Sequence, residues 1–190
     1  LVDGLFLLSN TLRYRDDGNS QVAEADALLD RAIELAPLRV DLIDARASLR
    51  RAAAMRYDDG PDDADTVRTF SGLRYSRSRL EAALADYETA FALSDEYRYA
   101  VRKGMLLHDL GRHDEALAAY DEALATMAAD DPKRGFILET RAKSENNGAG
   151  EREQMARLIE SGLIGDGRNR KLDEDIAAQA LIAAANRSEE

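Results

Sequence analysis

The sequence predicts an all-α fold built from repeated helix-turn-helix units. Two observations support this prediction. The stretch DEALAAYDEAL at residues 114–124 places Ala116, Tyr120 and Ala123 on one helical stripe, and the same offsets recur at two other places in the chain. In addition, no segment shows a convincing alternation of apolar and polar residues with the period of two that marks a half-buried strand.

The recurring stripe indicates packing and not a chemical site. The three copies are Ala116, Tyr120, Ala123 and Leu124; Ala83, Tyr87, Ala90 and Phe91; and Ala25, Leu29, Ala32 and Ile33. Each alanine presents only a methyl group, which lets a neighbouring helix approach to the short end of the ~8–10 Å range of helix packing. The larger residues then fill the flanks of each crossing.

The copy that begins at Ala116 belongs to a longer pattern between residues 97 and 132. Gly104 supplies a small residue on the first helix, residues 110–112 (LGR) make a turn, and Pro132 follows the second helix. This pattern resembles the tetratricopeptide repeat, a helix pair of ~34 residues with alanine, an aromatic and alanine on its second helix. The resemblance covers roughly residues 5–130, with Ala100 and Lys103 departing from the large apolar residues usual in the family. It implies a TPR-like superhelix whose first helices line a concave groove.

On this basis the chain is predicted to be a single domain over residues 1–190. The predicted repeats are 5–37, 38–95, 97–130 and 133–165, followed by a capping helix at 170–187. The fourth repeat pairs KRGFILETRAKSE (133–145) with EREQMARLIESGL (151–163), where Met155, Ile159 and Gly162 imitate the stripe loosely. In the capping helix, Leu172, Ile176, Ala180 and Ala184 recur every four residues, as expected of a helix that covers the last repeat.

The second repeat contains an insertion at residues 57–78. Gly60 and Pro61 break the preceding helix, and aspartates occupy positions 58, 59, 62, 63 and 65. The aspartates lack the spacing and closing glutamate of an EF-hand, so a solvated loop is expected over 57–66. Residues 67–78 are expected to add a helical turn or to pack on the groove through Phe70, Leu73 and Tyr75.

Composition excludes several classes of function. A net charge of −11 argues against nucleic acid as a ligand, and a chain with no cysteine and two histidines lacks the ligands of a usual zinc site. No apolar run approaches the ~20 residues of a membrane-spanning helix. The four lysines against 22 arginines suggest a GC-rich bacterial genome. The first residue is Leu, so a leader could be missing and the compartment, cytoplasmic or periplasmic, stays open.

No catalytic or cofactor motif stands out in the sequence. The chain has no glycine-rich phosphate loop after a strand, and its serines are not placed with a histidine in a nucleophile motif. His113 is interpreted as an exposed turn residue, and no catalytic, metal or cofactor residue is assigned. The protein is therefore predicted not to be an enzyme.

The resemblance instead implies a scaffold or adaptor that binds a peptide or partner protein. On the first helix of the third repeat, one stripe holds the predicted groove residues Arg98, Val101, Arg102, Met105 and His108. The arginines suit an acidic or C-terminal peptide, although Asn10 is the only candidate for the asparagines of the family's carboxylate clamp and the second repeat offers none. The alternative is an oligomerisation or regulatory module of a larger protein or assembly, and a monomeric state in solution would favour the adaptor.

Replacing Ala116 with Leu should overpack a helix crossing and lower the free energy of unfolding by ~1–3 kcal/mol. The change is measured by thermal or urea unfolding followed by circular dichroism. An unchanged melting temperature would contradict the assignment of the stripe to packing.

Overall fold

Helices account for most of the described chain, which confirms the predicted all-α class. The computed structural model describes residues 1–13, 19–55, 62–69 and 72–160. The elements in these ranges are α1 (Val2–Arg13), α2 (Asn19–Leu35), α3 (Val40–Ala54), β1 (Thr66–Arg68), β2 (Arg74–Ser76), α4 (Arg77–Ser94), α5 (Tyr97–Asp109), α6 (His113–Thr126) and α7 (Arg134–Glu160). The chain divides into two compact units, residues 1–144 and 145–190.

In the first unit, the helices pack as the pairs α1–α2, α3–α4 and α5–α6. The partners in a pair run antiparallel: on α3 and α4, for example, the Ser48 hydroxyl lies 3.2 Å from that of Tyr87, and the Ala53 carbonyl accepts from Arg79. The turn between α5 and α6 depends on Gly111, whose φ of 74° lies in the left-handed region that favours glycine. The predicted LGR turn is thereby confirmed.

The alanine stripes lie in the core, as predicted. The two alanines of every copy are fully buried, and the residue between them, Leu29, Tyr87 or Tyr120, is at most 2% exposed. Most of these side chains belong to one apolar core that extends over α3 to α6 and includes Ile137 of α7. A smaller core consists of Ala25 and Leu29 of α2 and Leu49 of α3. Phe6 and Leu12 of α1 pack against it.

Consecutive pairs are also joined by an ion pair that repeats along the chain. In each case the helix that follows a pair supplies a cation to the second helix of that pair. The three contacts are Arg46 with Asp30 at 2.6 Å, Lys103 with Glu88 at 3.7 Å, and Arg141 with Asp121 at 2.7 Å. All three acids stand five residues after the first alanine of their stripe.

The predicted fourth helix pair is wrong, because α7 continues without a break from Arg134 to Glu160. The expected turn at residues 146–150 (NNGAG) contains no proline, and an isolated glycine in a helix costs only about 1 kcal/mol relative to alanine. In the second unit the described residues, 145–160, are all helical, and Arg157 pairs with Glu153 one turn before it. Gly162 and the predicted capping helix at 170–187 lie outside the described residues.

The insertion forms a β-hairpin and not the helical turn expected for residues 67–78. β1 and β2 pair antiparallel, with Val67 opposite Tyr75, and both of these side chains are buried in the main core. Leu73 is exposed, and Phe70 lies outside the described residues. The strands contain three residues each, which is too short for a visible alternation of apolar and polar residues.

The described aspartates of the insertion stabilise this hairpin, which corrects their interpretation as a solvated loop. Arg68 and Arg74 stand directly opposite each other, an unfavourable pairing of like charges, and Asp62 bridges them at 2.6 and 2.8 Å. Burial opposes ionisation of Asp62, but the hydrogen bonds from both arginines outweigh it and lower its pKa. Asp65 accepts from the backbone N–H of Ser78 at the start of α4.

Gly104 permits the closest crossing within the third pair. A Cβ at this position would lie 2.6 Å from the ring of Tyr120, which is itself fully buried. Gly104→Ala should therefore lower the free energy of unfolding by ~1–3 kcal/mol, although alanine favours the helix. Gly135→Ala is the matched control, because a Cβ there meets no atom within 4 Å. Equal stabilities for both variants in urea unfolding would contradict this packing.

Candidate interaction surface on α5

Helix α5 carries all five predicted groove residues, and the two arginines lie nearest to solvent. The side chain of Arg98 is 51% exposed and pairs with Glu96 at 2.8 Å. Its guanidinium donates to the Tyr99 hydroxyl at 2.6 Å and lies 4.6 Å from the centre of the Tyr99 ring. Part of its donor capacity still faces water.

Arg102 stands one turn further along α5 and is held from two directions. It donates to Asp44 of α3, and its guanidinium lies 5.5 Å from the ring centre of Tyr87 and 6.0 Å from that of Tyr99. Contacts of an arginine with aromatic faces and a carboxylate fix its orientation. Arg98 and Arg102 therefore form a cationic surface on a rigid aromatic support, and we name these two residues the arginine surface.

The other three predicted residues lie deeper. Val101 is 8% exposed and belongs to the main core, and Met105 is half-buried against the same core. His108 is half-buried, with its Nδ1 2.8 Å from the Ser144 hydroxyl of α7. The structure thus places the two arginines together at the surface and directs Val101 into the core, away from a ligand on this surface.

His113 is buried and is not the exposed turn residue that the sequence predicts. It is the first residue of α6, and its ring meets that of His108 edge-on with the centres 5.1 Å apart. The turn preceding α6 is short, so the first residue of the helix already faces α5. A polar, turn-like sequence context concealed this burial.

A buried polar cluster surrounds these histidines and was missed by the sequence analysis. It includes Asp109, whose pKa is raised to about 6 by burial, an effect opposed in part by the charge of Arg51 at 3.9 Å. Burial likewise raises the pKa of Tyr120 to about 12, with the Ser144 hydroxyl acting in the opposite direction. Ser144 and Tyr120 are fully buried, so the cluster is closed to a substrate in this conformation.

An open cleft of about 320 Å³ lies between α2, α3 and α4. Its charged lining residues are more fully occupied than those of the arginine surface: Arg50 pairs with Asp26, Asp30 and Asp86, and Arg79 donates to the Ala53 carbonyl. The cleft therefore offers a ligand less available charge than the arginine surface does.

Within the described ranges, no three histidine, aspartate or glutamate side chains converge as metal ligands. Nor does any helix in that part of the chain combine the length and apolar character needed to cross a membrane. Neither a scan against protein-family models nor a search of curated proteins finds a match to this chain.

The raised pKa of Asp109 makes stability depend on pH. The folded state holds the proton more tightly than the unfolded state, so Asp109 should reduce stability as the pH rises from about 4 through about 6. Asp109→Asn removes this loss. Relative to the parent, the variant should gain on the order of 2 kcal/mol between pH 4 and pH 7.5 in urea unfolding. The parent and the variant contain the same two histidines, so the histidines do not contribute to the difference between them. A difference in stability that did not change with pH would contradict the burial of a charge at position 109.

Proposed function

We propose that the protein is a non-catalytic interaction scaffold whose arginine surface binds an acidic segment of a partner protein. The proposal retains the expected architecture, a TPR-like superhelix whose first helices line a groove. It is supported by Arg98 and Arg102, which project from a first helix at a spacing of one turn and remain partly exposed. Two guanidinium groups at this spacing can engage carboxylates along one peptide.

The aromatic support favours binding because it lowers the entropy lost by the arginines when a ligand arrives. Tyr99 is fully buried and Tyr87 nearly so, which means that the rings holding the guanidinium groups are themselves fixed. An arginine carries five N–H donors, so a bond to Asp44 or Glu96 leaves capacity for a further carboxylate. Side chains ordered in advance retain more of the interaction energy as affinity.

A competing interpretation is that these arginines only neutralise acids of the same chain. Arg98 pairs with Glu96 and Arg102 with Asp44, and each pair is complete without a ligand. Binding of acidic peptides separates the two interpretations, because a purely internal role predicts no affinity. A non-catalytic role is favoured by the burial of Ser144 and Tyr120, which closes the cluster that contains Asp109, a carboxyl group whose pKa burial raises.

A second candidate function is self-association. It is favoured by the exposed leucines in or just before α1, at positions 1, 7 and 8, which lie away from the arginine surface on α5. The two functions are compatible, since one helix can bind another copy while α5 stays accessible to a partner.

Fluorescence anisotropy with 12-residue peptides tests the arginine surface. A peptide rich in Glu and Asp with a free C-terminus should bind, and its Gln and Asn counterpart should bind at least about tenfold more weakly. Changing Arg98 and Arg102 together to Glu should abolish binding. Far-UV circular dichroism checks that this variant is folded, since loss of the partly buried Arg102–Asp44 pair lowers its stability. Added salt should weaken the binding of the parent protein.

The matched control changes Arg31 and Arg157 to Glu. Both are exposed, each pairs with a glutamate on its own helix, and the change in net charge is the same. The control should bind the acidic peptide as the parent does. Equal loss in both double variants would indicate a general charge effect, and no binding by the parent would contradict the proposal.

A further inference from the structure

Helix α1 presents an apolar face that none of the described residues covers. Gly4, Leu7, Leu8 and Thr11 share this face at spacings of three and four residues, and all four are exposed. Leu7 is 69% exposed and Leu8 48%, while Leu1, just before the helix, is 92% exposed. Three of the large exposed apolar side chains are thus concentrated on or beside one helix.

The later first helices show what this face does inside the array. Each first helix has one buried small residue at an equivalent position: Ser9 on α1, Ala47 on α3 and Gly104 on α5. The residue just before it is Leu8 on α1, Arg46 on α3 and Lys103 on α5. Arg46 and Lys103 contact the second helix of the preceding pair. Leu8 occupies the same position on α1, so its face corresponds to a helix-packing face elsewhere in the chain.

Gly4 provides a second indication that another helix crosses here. Glycine weakens a helix, and no neighbour in the described part of the chain requires it at this position, since a Cβ would meet no atom within 4 Å. A residue without a side chain on an exposed apolar face allows another helix to approach closely. The face therefore combines a projecting side chain, Leu8, with a depression four residues away at Gly4.

We propose that α1 is a homodimer interface in which α1 packs antiparallel against α1 of a second copy. A two-fold axis between residues 4 and 8 places each Leu8 over Gly4 of the other copy, so the surface is complementary to itself. The same axis places Leu1 beside Thr11 of the second copy. The Thr11 hydroxyl already donates to the Leu7 carbonyl at 3.0 Å, so burial leaves no unpaired donor.

The charge pattern favours α1 of a second copy over one of the second helices of that copy as the partner. Each second helix carries an acid at the position that meets the helix after it, namely Asp30, Glu88 or Asp121. Against Leu8 such a carboxylate would be buried without a cation, which is costly. Gly4, Leu7, Leu8 and Thr11 of α1 are uncharged, and the neighbouring Asp3 already pairs with Arg39 at 2.9 Å, so a second α1 imposes no such penalty.

Sedimentation equilibrium over a concentration series of the 190-residue chain tests the proposal. The parent should approach twice its mass of 21.0 kDa, with no larger species. Gly4→Leu fills the depression and Leu8→Lys adds a charge, and each should raise the dimer dissociation constant at least about tenfold. Gly4→Leu should not disturb the monomer, because the position is open.

Gly135→Leu is the control, since Gly135 is also helical and open. It should leave the dissociation constant within about twofold of the parent value. A parent that remains monomeric, a mass that keeps increasing beyond the dimer, or Gly4→Leu dimerising as tightly as the parent would each overturn the proposal.

The direction of pairing is tested by disulfide crosslinking, for which the cysteine-free chain is suited. Gly4→Cys protein mixed with Leu8→Cys protein should form the mixed disulfide in preference to either symmetric product. Preferential 4–4 and 8–8 crosslinks would indicate a parallel arrangement and overturn the antiparallel one.

Discussion

The contact between consecutive helix pairs depends on cations. The first helix of a pair extends them toward the second helix of its own pair and toward that of the preceding pair. The contact between the first two pairs is the most developed, because Arg46 and Arg50 both bind Asp86 of α4 as well as Asp30 of α2. The Asp86 side chain is only 5% exposed. Removing one partner of such a buried pair typically costs ~3–5 kcal/mol, since the remaining charge has lost its compensation. The apolar stripe holds the two helices of a pair together. These charges fix the register of one pair against the next pair.

Local patterns in the sequence predicted the local parts of the structure. The burial of Ala83, Tyr87 and Ala90 followed from their spacing alone, because the stripe lies within one helix. The ion pairs between helices did not follow, because each depends on which helices become neighbours. One signal was nevertheless available: every copy of the stripe has an acid five residues after its first alanine. The hairpin was missed because its pairing depends on Asp62 and on burial of Tyr75, not on a long alternating strand.

The candidate site was predictable to the same extent. Helical spacing correctly placed Arg98 and Arg102 on one face of α5, but it could not show that Val101, between them in sequence, faces the core. The cluster around Asp109 joins residues from α3, α5, α6 and α7, so no single segment records it. Its chemistry arises from burial, which raises the pKa of a carboxyl that would be unremarkable at a surface. Inspection of one helix at a time cannot detect such a group.

The β-hairpin has a consequence for the order of folding. Only residues 110–112 separate α5 from α6, whereas residues 55–76 separate α3 from α4. Closing the longer connection costs roughly 2 kcal/mol more in chain entropy. Pairing of β1 with β2, together with the bridge between Met55 and Tyr75, shortens the segment that remains to be closed. Since contacts close in sequence tend to form faster, we expect α5 and α6 to associate before α3 and α4. The hairpin thereby lowers the entropy cost of bringing the two helices of the middle pair together.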